Sequence, residues 1–570
     1  MTASRYSTPP RALPPAMRVA ATRSMLALSL LACAGRGLPA QTLPRSTAER
    51  TDYRATSSTA DVGAFLDSLQ MAGAPIAVGE MGTTVLGRPI YLVVASDPAV
   101  TSAAEAAASG KLVVYLQADI HAGEVEGKEA VLALLRELAG PHRDLLQKLV
   151  ILVAPVYNPD GNDDFGPVAE HRGDQNGPDL VGQRADGFNL DLNRDYFRAE
   201  APETRASLAR VYTTWDPAVM MDLHTTDGTR HGYLLTYAPG LDPNGPPGPT
   251  AFARDRMLPE IRRTLQDRYH EPIFDYGNID TPLEPKSWDT YAPLGWYGVN
   301  YVGLRGRIGI LSEAYSHADF RTRVQVTHDF VVEVLNFAAA HAEEIRRLER
   351  EADRQTTLEG AGAAPRPNLA VQYRMASRGV EPVTLEVMQP GPDSVRGRPR
   401  LTPTGTYRTY RIPVNDRFVD SLSQPLPAGY FLPASAANVA AALRLHGIQV
   451  QRLGADWTDS IETLSGIQLT WATREFQGHH LLGVTGNWTR VARTLPAGFY
   501  FVSTAQPLGR LAFALLQPEG WGLVRWGDFD RLLGSEFGTY TGLVYGSGAV
   551  REFPMARALR APLVPMRTLP

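Results

Sequence analysis

Four apolar runs in the first 320 residues lack the alternation of apolar and polar positions that is typical of a half-exposed strand. The runs cover residues 111–118, 149–155, 218–223 and 308–311. Strands that are apolar at successive positions are buried on both faces, as in a largely parallel sheet. Helical patterns lie between or after the runs, at residues 126–139, 250–269 and 324–353. The pattern predicts an α/β fold with a mixed, largely parallel central sheet covered by helices.

The chain changes character after residue 357. A segment rich in Gly, Ala and Pro at residues 358–368 is typical of a linker. Beyond it come short alternating runs that are typical of strands, at residues 406–413, 429–432 and 498–502, with helical stretches at 436–446 and 508–516. We therefore predict a first domain at residues 41–357, a linker at 358–368, and a β-rich α/β accessory region of unknown role at 369–570.

Side chains with metal-binding chemistry follow three of the apolar runs. His121 and Glu124 come after the first run, His224 after the third and Glu313 after the last. They are expected on loops at strand ends, where open α/β sheets form their sites. Two histidines and one glutamate are an established ligand set for catalytic zinc. We predict one Zn²⁺ per chain, held by His121, Glu124 and His224, with Glu313 left to take a proton from water. Any one of these motifs alone would also occur by chance.

A further segment, Gly187-Phe-Asn-Leu-Asp-Leu-Asn-Arg-Asp-Tyr196, follows the turn Asn158-Pro-Asp-Gly161 and Arg184. With this addition, about residues 60–345 resemble the zinc carboxypeptidase family, the group of carboxypeptidase A and its relatives. The resemblance implies the same three zinc ligands, and it gives Glu313 the role of general base and proton shuttle.

The resemblance also implies which residues bind a peptide. Asn193 and Arg194 would hold its terminal carboxylate, and an arginine offers a planar fork for two hydrogen bonds to such a group. Arg184 would polarise the scissile carbonyl, and Arg172 is a competitor for that role. Asp191 matches the family's carboxylate behind the first histidine, which fixes the orientation of that ring.

Two positions depart from the family's pattern or leave it open. The residue before Glu124 is Gly123, where members of the family often carry an arginine that helps to hold longer peptides. The mobile active-site tyrosine has three candidates, of which spacing slightly favours the first: Tyr291, Tyr297 and Tyr301.

Composition and the N-terminus bear on where the protein acts. With 570 residues, 44% of them hydrophobic, and a formal net charge of −4, the chain suits a large soluble protein without a nucleic-acid-binding surface. Residues 1–40 are interpreted as a signal peptide with a start at Met17, since the apolar run at 25–34 is too short to span a bilayer. Cys33 lies in this segment and gives the alternative of a lipid anchor. Arg305 and Arg307, near Glu313, are expected to be solvated.

These features predict a secreted or periplasmic zinc metallocarboxypeptidase that hydrolyses C-terminal peptide bonds. Its partners would be peptide or protein C-termini, including those of cell-wall peptides, with no nucleic acid and no transmembrane segment after signal removal. One alternative is a murein-peptide endopeptidase or amidohydrolase on the same scaffold. The other is a catalytically inactive peptide-binding relative.

Overall fold

The computed structural model describes residues 43–533 and 552–569, apart from residues 174, 227, 396 and 397. The predicted signal peptide at residues 1–40, with Met17 and Cys33, lies outside the described residues. The rest forms one compact unit that begins at Leu43. Within the described ranges, no helix has both the length and the apolarity needed to cross a membrane.

The apolar runs form the centre of an eight-stranded sheet. The strands of this part of the chain are β1 (Ile76–Thr83), β2 (Pro89–Ala95), β3 (Leu112–Ala118), β4 (Leu149–Ala154), β5 (Gly166–Pro167), β6 (Leu180–Val181), β7 (Val219–Thr225), β8 (Leu235–Pro239), β9 (Ile273–Asp275), β10 (Trp288–Asp289) and β11 (Ile308–Ala314). The sheet has the order β1-β2-β4-β3-β7-β11-β8-β9. The pairs β3–β4, β3–β7, β7–β11 and β8–β9 are parallel, and the other three neighbouring pairs are antiparallel. The predicted mixed, largely parallel sheet is confirmed.

Helices cover this sheet and connect its strands. They are α1 (Thr47–Arg50), α2 (Thr59–Met71), α3 (Ala103–Ser109), α4 (Glu126–Glu137), α5 (Pro159–Asp163), α6 (Val168–His171), α7 (Pro202–Ser207), α8 (Pro247–Phe252), α9 (Leu258–Thr264), α10 (Gly298–Leu304), α11 (Phe320–Ala340) and α12 (Ala342–Ala361). The single helix predicted at residues 324–353 is therefore two helices. They are separated at His341, whose backbone angles (φ −113°, ψ 19°) are not helical.

Alternate residues of the central strands enter two separate cores. Val114 and Leu116 lie in a core that also includes apolar residues of α4 and α11, whereas Tyr115 lies in a second core on the other side of the strand. The second core continues into the C-terminal region and includes Tyr430 and Leu511. The C-terminal region thus shares a core with one face of the eight-stranded sheet.

The C-terminal region is rich in β-structure, as predicted. Its elements are β12 (Asn368–Ala376), β13 (Gly379–Val395), β14 (Arg398–Asn415), β15 (Arg417–Pro425), β16 (Gly429–Leu432), α13 (Ala437–Leu445), β17 (Gln451–Leu453), β18 (Trp457–Trp471), β19 (Leu482–Leu495), β20 (Tyr500–Ser503), α14 (Gly509–Leu516), α15 (Asp530–Leu533), β21 (Glu552–Ala558) and β22 (Met566–Thr568). Seven of these strands form a sheet in the order β19-β18-β21-β16-β20-β17-β22. Helix α12 continues to Ala361, so only residues 362–367 of the predicted linker lie between elements.

Candidate metal centre

Two of the candidate site residues lie inside strands, not on the loops where they were expected. Strands β7 and β11 are parallel neighbours, and Glu313 is the register partner of His224. The pairing of the two strands ends one residue later, at Thr225 and Ala314. His224 and Glu313 are therefore the second-last residues of their strands. His121 does lie on a loop, three residues beyond the end of β3. Three strand ends therefore bring these side chains to one edge of the sheet.

His121, Glu124 and His224 form a buried cluster. The Nδ1 atom of His121 lies 3.1 Å from Glu124 Oε1, and the Nδ1 atom of His224 lies 3.0 Å from Glu124 Oε2. The two Nδ1 atoms are 3.2 Å apart. Ligands held about 2.0–2.1 Å from a tetrahedral zinc ion stand roughly 3.3 Å from one another. The donor set and its spacing thus fit a zinc ion with three protein ligands.

The outer nitrogen of each histidine faces a carboxylate. Asp191 Oδ1 lies 2.9 Å from His121 Nε2, and Asp222 Oδ2 lies 3.1 Å from His224 Nε2. Gln117 Nε2 donates to the other oxygen of Asp222 at 3.0 Å. Carboxylates in this position fix the orientation of a ligating ring and raise its basicity. Sequence reasoning missed Asp222, although a charged residue in an apolar run, two positions before a histidine and therefore on the same face of a strand, was a usable indication.

The charges around the cluster favour ionised carboxylates. Burial would raise the pKa of Glu124, but His121 and Arg172 outweigh it and hold the pKa well below its ordinary value. Burial likewise acts against ionisation of Asp191, yet His121 and Arg184 keep its pKa below the usual range. An ionised Glu124 is the form that binds a metal cation.

An open cavity of about 600 Å³ lies in front of the cluster. It is lined by His121, Glu124, Arg184, Asn193, Arg194, His224, Thr225, Tyr276, Tyr291, Tyr297, Val299, Leu311 and Glu313. The structure thus brings every predicted site residue to this cavity except Asp191, which lies behind His121. Tyr276 is a further lining residue that the sequence did not indicate.

The three candidate tyrosines occupy different places. Tyr291 and Tyr297 line the cavity with their rings 5.2 Å apart, whereas the Tyr301 hydroxyl lies 3.0 Å from His446 Nδ1 in the second core. The buried hydroxyl of Tyr291 has no hydrogen-bond partner among the described residues, and burial raises its pKa well above the ordinary value. Tyr291 therefore carries a neutral hydroxyl that can bind a ligand in the cavity.

The arginines are each held by specific partners. Arg184 lines the cavity and donates from Nη2 to Asp191 Oδ2 at 2.9 Å. Arg172 is not among the lining residues; its Nη1 donates to Glu124 Oε1 at 2.9 Å. A Cβ atom added at Gly123 would lie 2.7 Å from Arg172 Cγ, so the Arg172 side chain occupies the space that a side chain at position 123 would need.

Arg305 and Arg307 are not solvated, contrary to expectation. Both precede β11, whereas Glu313 lies near the end of that strand. Arg305 Nη2 donates to the carbonyl of Tyr212 at 2.8 Å, and Arg307 Nη2 donates to Asp216 Oδ2 at 2.6 Å. The two guanidinium groups are buried structural cations.

Residues 62–229 match the family model described as Zinc carboxypeptidase. Carboxypeptidase 2 of Trichophyton rubrum is 24% identical over 438 residues, which cover 74% of each chain. Carboxypeptidase 2 of Trichophyton equinum is 25% identical over 439 residues, covering 73% of this chain and 74% of that protein. Among solved structures, carboxypeptidase A from Helicoverpa armigera matches with 18% identity and a TM-score of 0.38, over 51% of this chain and 75% of that one.

The matched stretch contains His121, Glu124 and His224. Residues 62–229 therefore match a zinc carboxypeptidase domain, and this domain carries the ligand set of a zinc metallopeptidase.

Proposed function

We propose that this protein is an exported carboxypeptidase that removes residues from the C-termini of peptides, with Glu313 as general base. The observation that carries the proposal is that one cavity is lined by the metal cluster, by Glu313, and by Asn193 and Arg194. Export is proposed from the signal peptide predicted at residues 1–40. Peptides of the cell wall are among the proposed substrates.

The chain's own residues supply the proton transfers. Zinc held by His121, Glu124 and His224 would polarise the scissile carbonyl and acidify water. Glu313 stands beside His224 in the register of two parallel strands, which fixes its distance from the cluster. We propose that its carboxylate takes the proton of the attacking water and passes it to the leaving amine.

Arg184 is proposed to stabilise negative charge that develops on the substrate. Its Nε and Nη2 atoms donate to Asp191 Oδ2, and its Nη1 atom lies 3.3 Å from Glu124 Oε1. About a third of the side chain is exposed, and the residue lines the cavity. A cation that is held in advance at the place where an oxyanion forms needs no rearrangement during the reaction.

Arg194 and Asn193 are proposed to hold the terminal carboxylate. Arg194 Nη1 donates to the carbonyl of Asn193 at 2.9 Å, and its guanidinium lies 4.6 Å from the centre of the Tyr297 ring. Asn193 Oδ1 accepts from the backbone N–H of Gly298 at 3.0 Å. The contacts of Arg194 fix the plane of its guanidinium group at the wall of the cavity. Tyr291, with its unpartnered hydroxyl, is proposed to donate to the bound peptide.

Substitution of Arg194 by methionine tests this assignment. The lost charge-assisted contact should cost about 2–4 kcal/mol, which corresponds to a fall of roughly 30- to 1000-fold in kcat/KM on free-acid peptides. Rates on C-terminally amidated peptides should be low and nearly unchanged. Arg198→Met is the matched control, because Arg198 pairs with Asp528 and does not line the cavity. Equal wild-type rates on free-acid and amidated peptides would instead support the endopeptidase or amidohydrolase alternative.

A further inference from the structure

A second group of potential metal ligands lies away from the cavity. Glu137 is the last residue of α4, His142 follows in the next loop, and His328 is on α11. The Nε2 atom of His328 lies 2.7 Å from Glu137 Oε2, and the Nε2 atom of His142 lies 3.6 Å from the same oxygen. One nitrogen or oxygen of each side chain falls within a mutual distance of 4.8 Å.

The chemistry of this group matches a zinc site. Two imidazole nitrogens and one carboxylate oxygen are a common donor set for zinc. The two distances to Glu137 Oε2, 2.7 and 3.6 Å, lie on either side of the roughly 3.3 Å that separates ligands of a tetrahedral ion. The side chains of His328, Glu137 and His142 are 14%, 25% and 28% exposed. An ion can therefore enter from solvent and keep water as its remaining ligand.

A second carboxylate orients one of the rings. Asp329 Oδ1 lies 2.9 Å from His328 Nδ1, and Gln325 Nε2 donates to the other oxygen of Asp329 at 2.8 Å. This arrangement directs His328 Nε2 toward Glu137, as an outer carboxylate does behind a metal-binding histidine. Arg136 is the nearest paired cation, but its Nη2 lies 4.0 Å from the other oxygen of Glu137, Oε1. Glu137 Oε2 is thus directed at the two histidines.

The position of the group indicates a structural role. Helix α4 starts two residues after Glu124 and has twelve residues, so at about 1.5 Å per residue its far end is roughly 20 Å from the catalytic cluster. Helix α11 follows β11, which carries Glu313, and α4 packs against α11. A metal ion here would join the C-terminal end of α4, which begins two residues after Glu124, to the middle of α11, which follows the strand of Glu313.

We propose that Glu137, His142 and His328 bind a second divalent transition-metal ion, with zinc as the best fit, which clamps α4 to α11. The chain then holds two zinc ions, not the one that its sequence predicted. The site is distinct from the catalytic cluster in its residues and in its place in the fold.

Zinc content of the full-length chain tests the proposal. Protein stripped with a chelator, reloaded with zinc and freed of excess metal should contain two equivalents by mass spectrometry of the metal. His328→Ala and His142→Ala should each contain one equivalent and keep kcat/KM within about threefold. His224→Ala should also contain one equivalent, but without activity. His341→Ala, at the end of the same helix α11, is the matched control and should keep two.

Cobalt gives a second readout that does not depend on activity. In the His224→Ala protein, added Co²⁺ should produce the visible absorption of a tetrahedral site, and the further change Glu137→Gln should abolish it. Glu137→Gln keeps the shape of the side chain, which guards against loss of metal through misfolding. One equivalent of zinc in the saturated wild type, or two equivalents in His328→Ala, would overturn the proposal.

Discussion

Asp191 contacts both His121 of the metal cluster and Arg184, which lines the cavity. Its substitution should therefore lower zinc affinity and turnover. Its Oδ1 atom lies 2.9 Å from His121 Nε2, while its Oδ2 atom accepts from Arg184 Nη2 at 2.9 Å and from Arg184 Nε at 3.1 Å. Asp191→Asn keeps the size of the side chain but removes the charge and one acceptor oxygen. Either His121 or Arg184 must then lose its partner.

The contacts give the expected magnitude. Loss of a carboxylate behind a ligating histidine typically costs 10- to 100-fold in metal affinity, or about 1.4–2.7 kcal/mol. A hydrogen bond to a charged group such as Arg184 contributes roughly 1.5–3 kcal/mol more, and this contribution would appear only in turnover. We therefore expect Asp191→Asn to bind zinc 10- to 100-fold more weakly, with a further fall of roughly 10- to 100-fold in kcat/KM when zinc is saturating.

Zinc affinity is measured by competition with a chromophoric chelator, and kcat/KM is measured on free-acid peptides at saturating zinc. Asp186→Asn is the matched control, because Asp186 lies in the same loop and its Oδ1 accepts from the backbone N–H groups of Phe188 and Leu190. An asparagine can keep both bonds, so zinc affinity should stay within about twofold. The same zinc affinity in Asp191→Asn and in the wild type would refute the role given to Asp191.

Three more changes have defined outcomes. Glu313→Gln should keep its zinc but lose several orders of magnitude in kcat, and loss of the metal would contradict its role as base. Burial raises the pKa of Asp242 to about 7, above the 3.8 of an unburied aspartate. Because the folded state then binds the carboxyl proton more tightly than the unfolded state, the stability of the wild type falls as the pH rises from about 4 to 7. Asp242→Asn should therefore raise the free energy of unfolding by up to about 4 kcal/mol at pH 8 and by much less at pH 5, as measured by urea titration. An equal gain at both pH values would argue against a raised pKa at Asp242. A chain truncated after Leu358 should aggregate, because the second core of the sheet loses its C-terminal half; a soluble monomer with a sharp thermal transition would show otherwise.

The sequence revealed the central strands because burial on both faces leaves a continuous apolar run. Every residue of β4 and β7 is buried, and both strands lie where such runs predicted them. The site residues were found for a related reason: a histidine or glutamate at the end of an apolar run has few structural uses there. The match to residues 62–229 supports the resemblance that these residues suggested.

What the sequence did not reveal depends on contacts between distant segments. Arg305 and Arg307 looked like solvated charges, yet both are paired in the interior, and Asp216 lies 89 and 91 residues away from them in the chain. The break at His341 was missed because the apolar pattern continues from one helix into the next. Periodicity reports burial along one element, and it carries no information about partners or about a change in helix direction.

The sequence pattern separates the predicted catalytic and accessory regions, but in the structure the two regions pack against each other. Gln477, in the C-terminal region, accepts a hydrogen bond from the backbone N–H of Asp191 at 2.7 Å, and Phe476 lies against Trp296 with the ring centres 5.4 Å apart. Asp191 Oδ1 lies 2.9 Å from His121 Nε2, and Asp191 is two residues before Asn193 in the chain. The hydrogen bond between Gln477 and the Asp191 backbone therefore holds the loop that faces His121, a proposed zinc ligand. The same loop carries Asn193, which is proposed to bind the terminal carboxylate. We therefore expect the C-terminal region to support the proposed site by fixing this loop, although it places no side chain among the residues that line the cavity.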